Sequence, residues 1–399
     1  MKKIKNWKVL IFVLGMTTVL GGCGLKPSNR RYAKALEAYE AKEYETAADL
    51  FQEAIEKNPD KTEFYLDYGF TLIQLEEFEH AKEQFQRVIS EKEIDMVQGN
   101  NKKAYRGLGI VEYCNGQYEL ALEQFEKALS IKQEEKLNTD LLLYQSSALE
   151  LLGRLEEALA IYEELLKEGI ETAGLYRTRG NLYRKQGEYE KSLEDYEKAI
   201  SMSSKDFSTY LGKFAALKEL EREGEANEVL KRAEELPVNS DADLFDLAQV
   251  HFYQGNRTSA KIEFEQVLEK GFVQAKYFLG ELALEEGDFK TAKTLLEEYI
   301  SSGRPGTATM YNQLLVCCLQ LRDLDAAGEY LEKAKILSDA SIRQELARNE
   351  VAYLEYMGNF EEALDKMERY LVIYPDDDQA KNDIVFLKTR VKESDDTSN

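Results

Sequence analysis

The sequence predicts an all-α protein, a solenoid of about ten helix-turn-helix units closed by one last helix. Three observations carry that expectation. The first is the stretch Gly174 to Ile200, which reads as two amphipathic helices about a turn at Gln186-Gly187. Tyr176, Gly180 and Tyr183 share one helical face, and Tyr189, Ser192, Leu193, Tyr196 and Ala199 share another. Such a pair cannot bury its own apolar side and needs similar neighbours. The second observation is that the chain supplies them, at a near-constant period. The third is negative: there are five prolines and no strand-like alternation of apolar and polar residues.

A small residue recurs early in each second helix, at Ala47, Ala81, Ala121, Ala158, Ser192, Ala226, Ala260, Ala292, Ala327 and Ala363. The steps are 34, 40, 37, 34, 34, 34, 32, 35 and 36 residues. Four positions on stands a bulky residue: Phe51, Phe85, Phe125, Tyr162, Tyr196, Leu230, Phe264, Leu296, Leu331 and Met367. This period and this small/aromatic pairing resemble the tetratricopeptide repeat family over about Asn29 to Pro375. The resemblance implies a right-handed α-solenoid whose first helices line a concave face. Copy one departs from it, with Ala35 where the first helix usually carries Gly, and copies six and nine carry Phe214 and Leu315 there.

Residues 1–22 lie before the array. Lys2, Lys3, Lys5 and Lys8 form a basic start to an apolar run from Val9 to Leu20. A bilayer needs roughly 20 apolar residues, so this shorter run fits a cleaved signal peptide. It ends Leu20-Gly21-Gly22-Cys23, which resembles the lipobox of bacterial lipoproteins. That resemblance makes Cys23 the acylated first residue of the mature chain. The alternative is an ordinary secretory signal with an incidental cysteine. Residues 23–28 form the lipidated N-terminus and linker, whose reach of under roughly 20 Å keeps the first repeat close to the membrane.

The formal net charge is −23, and loss of the four signal lysines would make it −27, 48 basic against 75 acidic residues. So acidic a body is repelled from anionic head groups and from nucleic acid. No nucleic-acid partner is expected.

Within the array, residues 29–375, two steps exceed the period. Glu91 to Asn101 adds about six residues and Gln133 to Asn138 about three, and both read as loops on one face. Leu236 to Ser240 and Ser301 to Gly306 are plain helix breaks. The array closes at Tyr374-Pro375-Asp376. Residues 376–393 then form a capping helix with Ala380, Ile384, Leu387 and Val391 along its inner side, and 394–399 read as a disordered tail.

Chemistry is sparse. His80 and His251 lie five copies apart and cannot share a ligand; His251 falls on a core-type position and His80 reads as exposed. Cys114 lies six copies from Cys317 and Cys318, and those adjacent cysteines read as buried small hydrophobes, with a redox or metal role as the alternative. No phosphate loop, nucleophile elbow, zinc spacing or calcium loop is present. No cofactor or metal is expected, and no enzyme.

What remains is surface recognition. In tetratricopeptide repeats, inward side chains of the first helix recur at i, i+3, i+7 and i+10. Carried onto this chain, copy three offers Lys103 and Arg106, and copy five offers Arg177, Asn181 and Arg184 with Lys185 beside them. Copy seven offers Phe245 and Phe252 with Tyr253 adjacent, and copy eight offers Tyr277. A partner segment with acidic residues or a free carboxylate would suit the basic part, and apolar side chains the aromatic part. The competing reading is structural, with Arg177 and Arg184 balancing acids such as Glu150, Glu188 and Glu219. Arg177 and Asn181 look like the opening pair of the family's carboxylate clamp, but Gly212, Ala242 and Asp246 do not continue it.

The expected function is therefore a scaffold or adaptor, lipid-anchored at the outer face of a bacterial cell membrane and binding a protein or peptide partner. An assembly or chaperone factor for envelope or secreted proteins is the alternative, and an enzyme subunit a third.

Overall fold

All ten small residues of the repeat have no solvent-accessible surface, and the ten bulky residues four positions on are at most 4 % exposed. The reason is visible at Phe85. A Cβ on Gly69 of the same copy would come within 2.8 Å of its ring, and one on Gly107 of the next copy within 2.4 Å. Tyr196 stands in the same way between Gly180 and Gly212, at 3.1 and 2.7 Å. The bulky residue of each of these second helices is a wedge between two successive first helices. Burying such a side chain contributes roughly 1.5–3 kcal/mol.

The computed structural model describes residues 27–338 and 340–397, which form twenty-one α-helices and one 3-10 turn, with no strand among them. Copies one to three are α1 (Pro27–Glu40) with α2 (Tyr44–Lys57), α3 (Thr62–Gln74) with α4 (Phe78–Val88), and α5 (Asp95–Cys114) with α6 (Tyr118–Ser130). Copies four to six are α7 (Asn138–Leu151) with α8 (Leu155–Lys167), α9 (Ala173–Lys185) with α10 (Tyr189–Met202), and α11 (Phe207–Glu219) with α12 (Glu223–Glu234). Copies seven and eight are α13 (Asp241–Tyr253) with α14 (Arg257–Glu269), and α15 (Ala275–Glu285) with α16 (Phe289–Ser301). Copies nine and ten are α17 (Ala308–Leu321) with α18 (Leu324–Leu337), and α19 (Arg343–Tyr356) with α20 (Phe360–Ile373), and α21 (Asp378–Thr397) closes the array. No described helix is long and apolar enough to cross a membrane.

The turn inside each pair is uniform. Five residues before the small residue, every copy has one residue in the left-handed region: six glycines, and Lys42, Glu76, Glu221 and Arg322. The next residue returns its N–H to a carbonyl five positions back, as Glu188 does to Tyr183 at 2.9 Å. This is the Schellman closure, which satisfies a carbonyl that the helix end would otherwise orphan.

The chain divides between Glu223 and Gly224 into two compact units. In the first, α1 to α11 stack in chain order, and a continuous apolar cluster runs from Tyr65 to Tyr183. In the second, separate clusters under α13 to α15, under α17 to α19 and under α19 to α21 follow one another. Ala380 and Leu387 of α21 are fully buried on that last cluster. Arg348 ties down both the preceding turn, by a bond to Asp377 at 2.9 Å, and α21 itself, by one to Asp383 at 2.7 Å.

The structure departs from the sequence expectations at three places. The first insertion is a loop only over 91–94: from Asp95 on it lengthens α5 to 20 residues where other first helices have 11–14. The second is partly ordered as the 3-10 turn Glu135–Leu137, entered through Glu134 at φ 56°. The last helix runs to Thr397, into the residues read as a disordered tail. The signal segment, 1–22, and Cys23 lie outside the described residues.

Candidate functional site

The two insertions are far apart in sequence and meet in space. Gln133 Nε2 donates to Asp95 Oδ1 at 2.9 Å, and Lys103 Nζ pairs with Glu134 at 2.8 Å. Behind them Lys102 is fully buried and donates to the Ile131 carbonyl at 2.9 Å and to Asn138 Oδ1 at 2.6 Å. Burial lowers the pKa of Lys102. Asn101 anchors the other end, bonding both the N–H and the carbonyl of Ser90 at 3.0 and 2.6 Å. These bonds hold the added turns of α5 as a wall on the first-helix side of copies one to four.

That wall encloses a hollow of about 610 Å³ with α1 and α3. Tyr32, Glu63, Asp67 and Phe70 line its α1 and α3 sides, and Met96 and Lys103 its α5 side. Asp67 accepts a short hydrogen bond from the Tyr32 hydroxyl. Burial pushes the Asp67 carboxyl up to about 6, against the Tyr32 bond and the charge of Lys103, which both lower it. Met96 stands 67 % exposed at the rim. A second hollow of about 500 Å³, between α8 and α10, is open and holds an already paired Lys191 and Glu188.

The basic stripe read from the sequence is mostly matched. Arg106 is buried, donates to Asp140 at 2.5 Å, and lies 5.4 Å from the Phe70 ring and 5.8 Å from that of Tyr144. Arg177 pairs with Asp206 at 3.0 Å, and Lys185 with Glu150. Asn181 accepts from the Tyr196 hydroxyl at 2.6 Å. Arg184, half-buried, has a buried Nε with no acceptor.

In the second unit the aromatic positions divide. Phe252 is 8 % exposed and Phe245 half-buried, and both pack with Phe264 and Phe278 at centroid distances of 5.4 to 6.5 Å. Phe252 is a core residue and Phe245 packs partly buried against the same cluster, through ring packing that spacing alone does not reveal. Arg257 covers Phe252 at 4.7 Å. Tyr253 is 44 % exposed. The Tyr277 hydroxyl donates to Glu281, which also accepts from Gln313 at 3.0 Å.

Three tetratricopeptide repeat models match the chain, at residues 38–93, at 107–171, 245–292 and 279–342, and at 173–206. Together they cover more than half of it. The chain belongs to the tetratricopeptide repeat family. No curated protein sequence matches it. Among solved structures, this tetratricopeptide protein is similar to a chain of the APC/C hetero-tetramer Cut9-Hcn1 (TM-score 0.51, 13 % identity), over 92 % of this chain and 91 % of that one. A tetratricopeptide repeat protein from Parabacteroides merdae matches over 64 % of this chain and all of its own (TM-score 0.46, 18 % identity). YrrB, a tetratricopeptide protein with an unusual peptide-binding site, matches over 47 % of this chain and 92 % of its own (TM-score 0.38, 21 % identity). At these identities the likeness establishes the fold alone.

Sequence reasoning found Lys103 and Arg106 on the hollow but missed Tyr32, Glu63, Asp67 and Met96. The available signal was the pair of long steps, which both fall on this hollow.

Proposed function

We propose that this tetratricopeptide repeat protein is a scaffold that is lipid-anchored through Cys23 outside the cytoplasm and holds a protein partner on its first-helix face. Tetratricopeptide repeats are protein-interaction scaffolds, and the family is generally non-enzymatic. One observation supports the anchor: a basic start and a short apolar run end in Leu20-Gly21-Gly22-Cys23. For the partner-holding face, support comes from the hollow on copies one to four, where two insertions build a wall that the plain repeat lacks. Binding without chemistry fits the thiols. Burial pushes Cys317 up to about 12 and Cys318 to about 11, leaving neither a thiolate nucleophile at neutral pH.

The anchor is tested with Cys23→Ser. The wild type is expected in the detergent phase on temperature-induced partition and to take up labelled palmitate. The variant is expected to accumulate as unprocessed, unlabelled precursor. Wild-type protein in the medium with an unmodified N-terminus at another residue would overturn the anchor.

A further inference from the structure

The charges around the hollow on copies one to four are unevenly satisfied. Its two cations are engaged, Lys103 with Glu134 and Arg106 with Asp140. Its carboxylates on α3 are not: among the described residues neither Glu63 nor Asp67 has a lysine or arginine within ion-pair distance, and the Asp67 side chain has only the Tyr32 hydroxyl as a bonding partner. A carboxylate partly withdrawn from water, with the Lys103 charge acting on it only from beyond ion-pair distance, is costly unless something else supplies a closer cation.

Shape and the remaining lining narrow what that something is. The hollow, about 610 Å³, is within the roughly 300–1,000 Å³ of ligand pockets. Leu66, Phe70 and Met96 give it apolar sides, with Met96 at the open rim. Apolar sides leading to a carboxylate suit a long aliphatic stem with a charged tip, which is how lysine and arginine bury their stems. The hollow is also held in shape by the bonds between the two insertions, so its order does not wait on a ligand.

We propose that this pocket receives a lysine or arginine side chain from an extended segment of the protein partner, its charged tip set against Asp67 and Glu63. The proposal rests on the scaffold reading and specifies the partner's chemistry at one position. It reverses the expectation from the basic stripe, which pointed to an acidic segment.

The test uses the full chain in detergent and a positional-scanning library of N-acetylated, C-amidated extended peptides, read by fluorescence anisotropy. At one peptide position, lysine or arginine is expected to bind about tenfold more tightly than norleucine. Asp67→Asn and Glu63→Gln are each expected to remove most of that preference, read as the ratio of lysine to norleucine affinity within the same variant. Glu63 is only half-buried, so its variant keeps the test open if Asp67→Asn misfolds; circular dichroism melting checks both. A preference that survives both variants, or binding with no basic preference at any position, overturns the pocket and leaves the scaffold reading standing. Equal preference for a lysine-free peptide with a free N-terminal amine overturns the side-chain assignment in favour of a terminal-amine site. If no peptide binds at all, the pocket proposal falls together with peptide recognition on this face, while the anchor assay remains unaffected.

Discussion

Asp67 carries a cost that the fold does not require. Burial raises its carboxyl from the ordinary 3.8 to about 6, so the folded chain holds a proton that the unfolded chain has lost. Stability linked to this group is therefore full below about pH 4 and lost as the pH rises through about 6. At about 1.4 kcal/mol per pKa unit the loss is at most about 3 kcal/mol. Asp67→Asn, which keeps an acceptor for Tyr32, is expected to be more stable than wild type at pH 7.5 in urea denaturation. The gain should vanish near pH 4, and a pH-independent difference would contradict this account. Other residues set the packing. A Cβ at Gly107 meets Phe85 at 2.4 Å, whereas one at Gly180 meets Tyr196 at 3.1 Å. Gly107→Ala is therefore expected to cost about 1–3 kcal/mol, and Gly180→Ala clearly less, because overpacking costs rise with the forced shift. Equal midpoints for the two variants would show that the wedge relaxes freely.

Individual elements were legible to different degrees. All ten helix pairs could be read, because each carries its small and bulky residues on one face at a fixed offset. The added turns of α5 could not. Asn100, Asn101 and Lys102 present no apolar stripe, since their partners are backbone carbonyls and polar side chains from other segments. A polar helix held by distant polar partners looks like a loop in sequence. The turns carry the sharpest prediction at this scale. Glu221 is left-handed at φ 57°, where Gly187 holds the equivalent place at φ 78°. A side chain in this region costs roughly 1 kcal/mol. Glu221→Gly should then stabilise by about 0.5–1 kcal/mol and Gly187→Ala destabilise by a similar amount, measured by urea midpoint. Destabilisation by Glu221→Gly would mean that its side chain contributes more than the strain it causes.

At the scale of the molecule, repetition explains both what sequence could show and what it hid. Stacked repeats place residues about one period apart side by side, so the counter-charges of the basic stripe come from the adjoining copy: Glu134 for Lys103, Asp140 for Arg106, Asp206 for Arg177 and Glu150 for Lys185. Read along the chain, those cations look free; stacked, they are paired. The aromatic section behaves alike, with Phe245 and Phe252 covered by Phe264 and Phe278 of the following helices. The central claim is that an anchored scaffold holds its partner on the first-helix face of copies one to four. Site-specific photo-crosslinking in cells tests it most directly, with the photoreactive residue placed at Met96 on that face or at Leu120 on the second helix of copy three, exposed by 67 % and 42 %. A discrete adduct in the membrane fraction from Met96 and none from Leu120 is the predicted result. Adducts from Leu120 alone, equal adducts from both, or adducts only in the soluble fraction would contradict it.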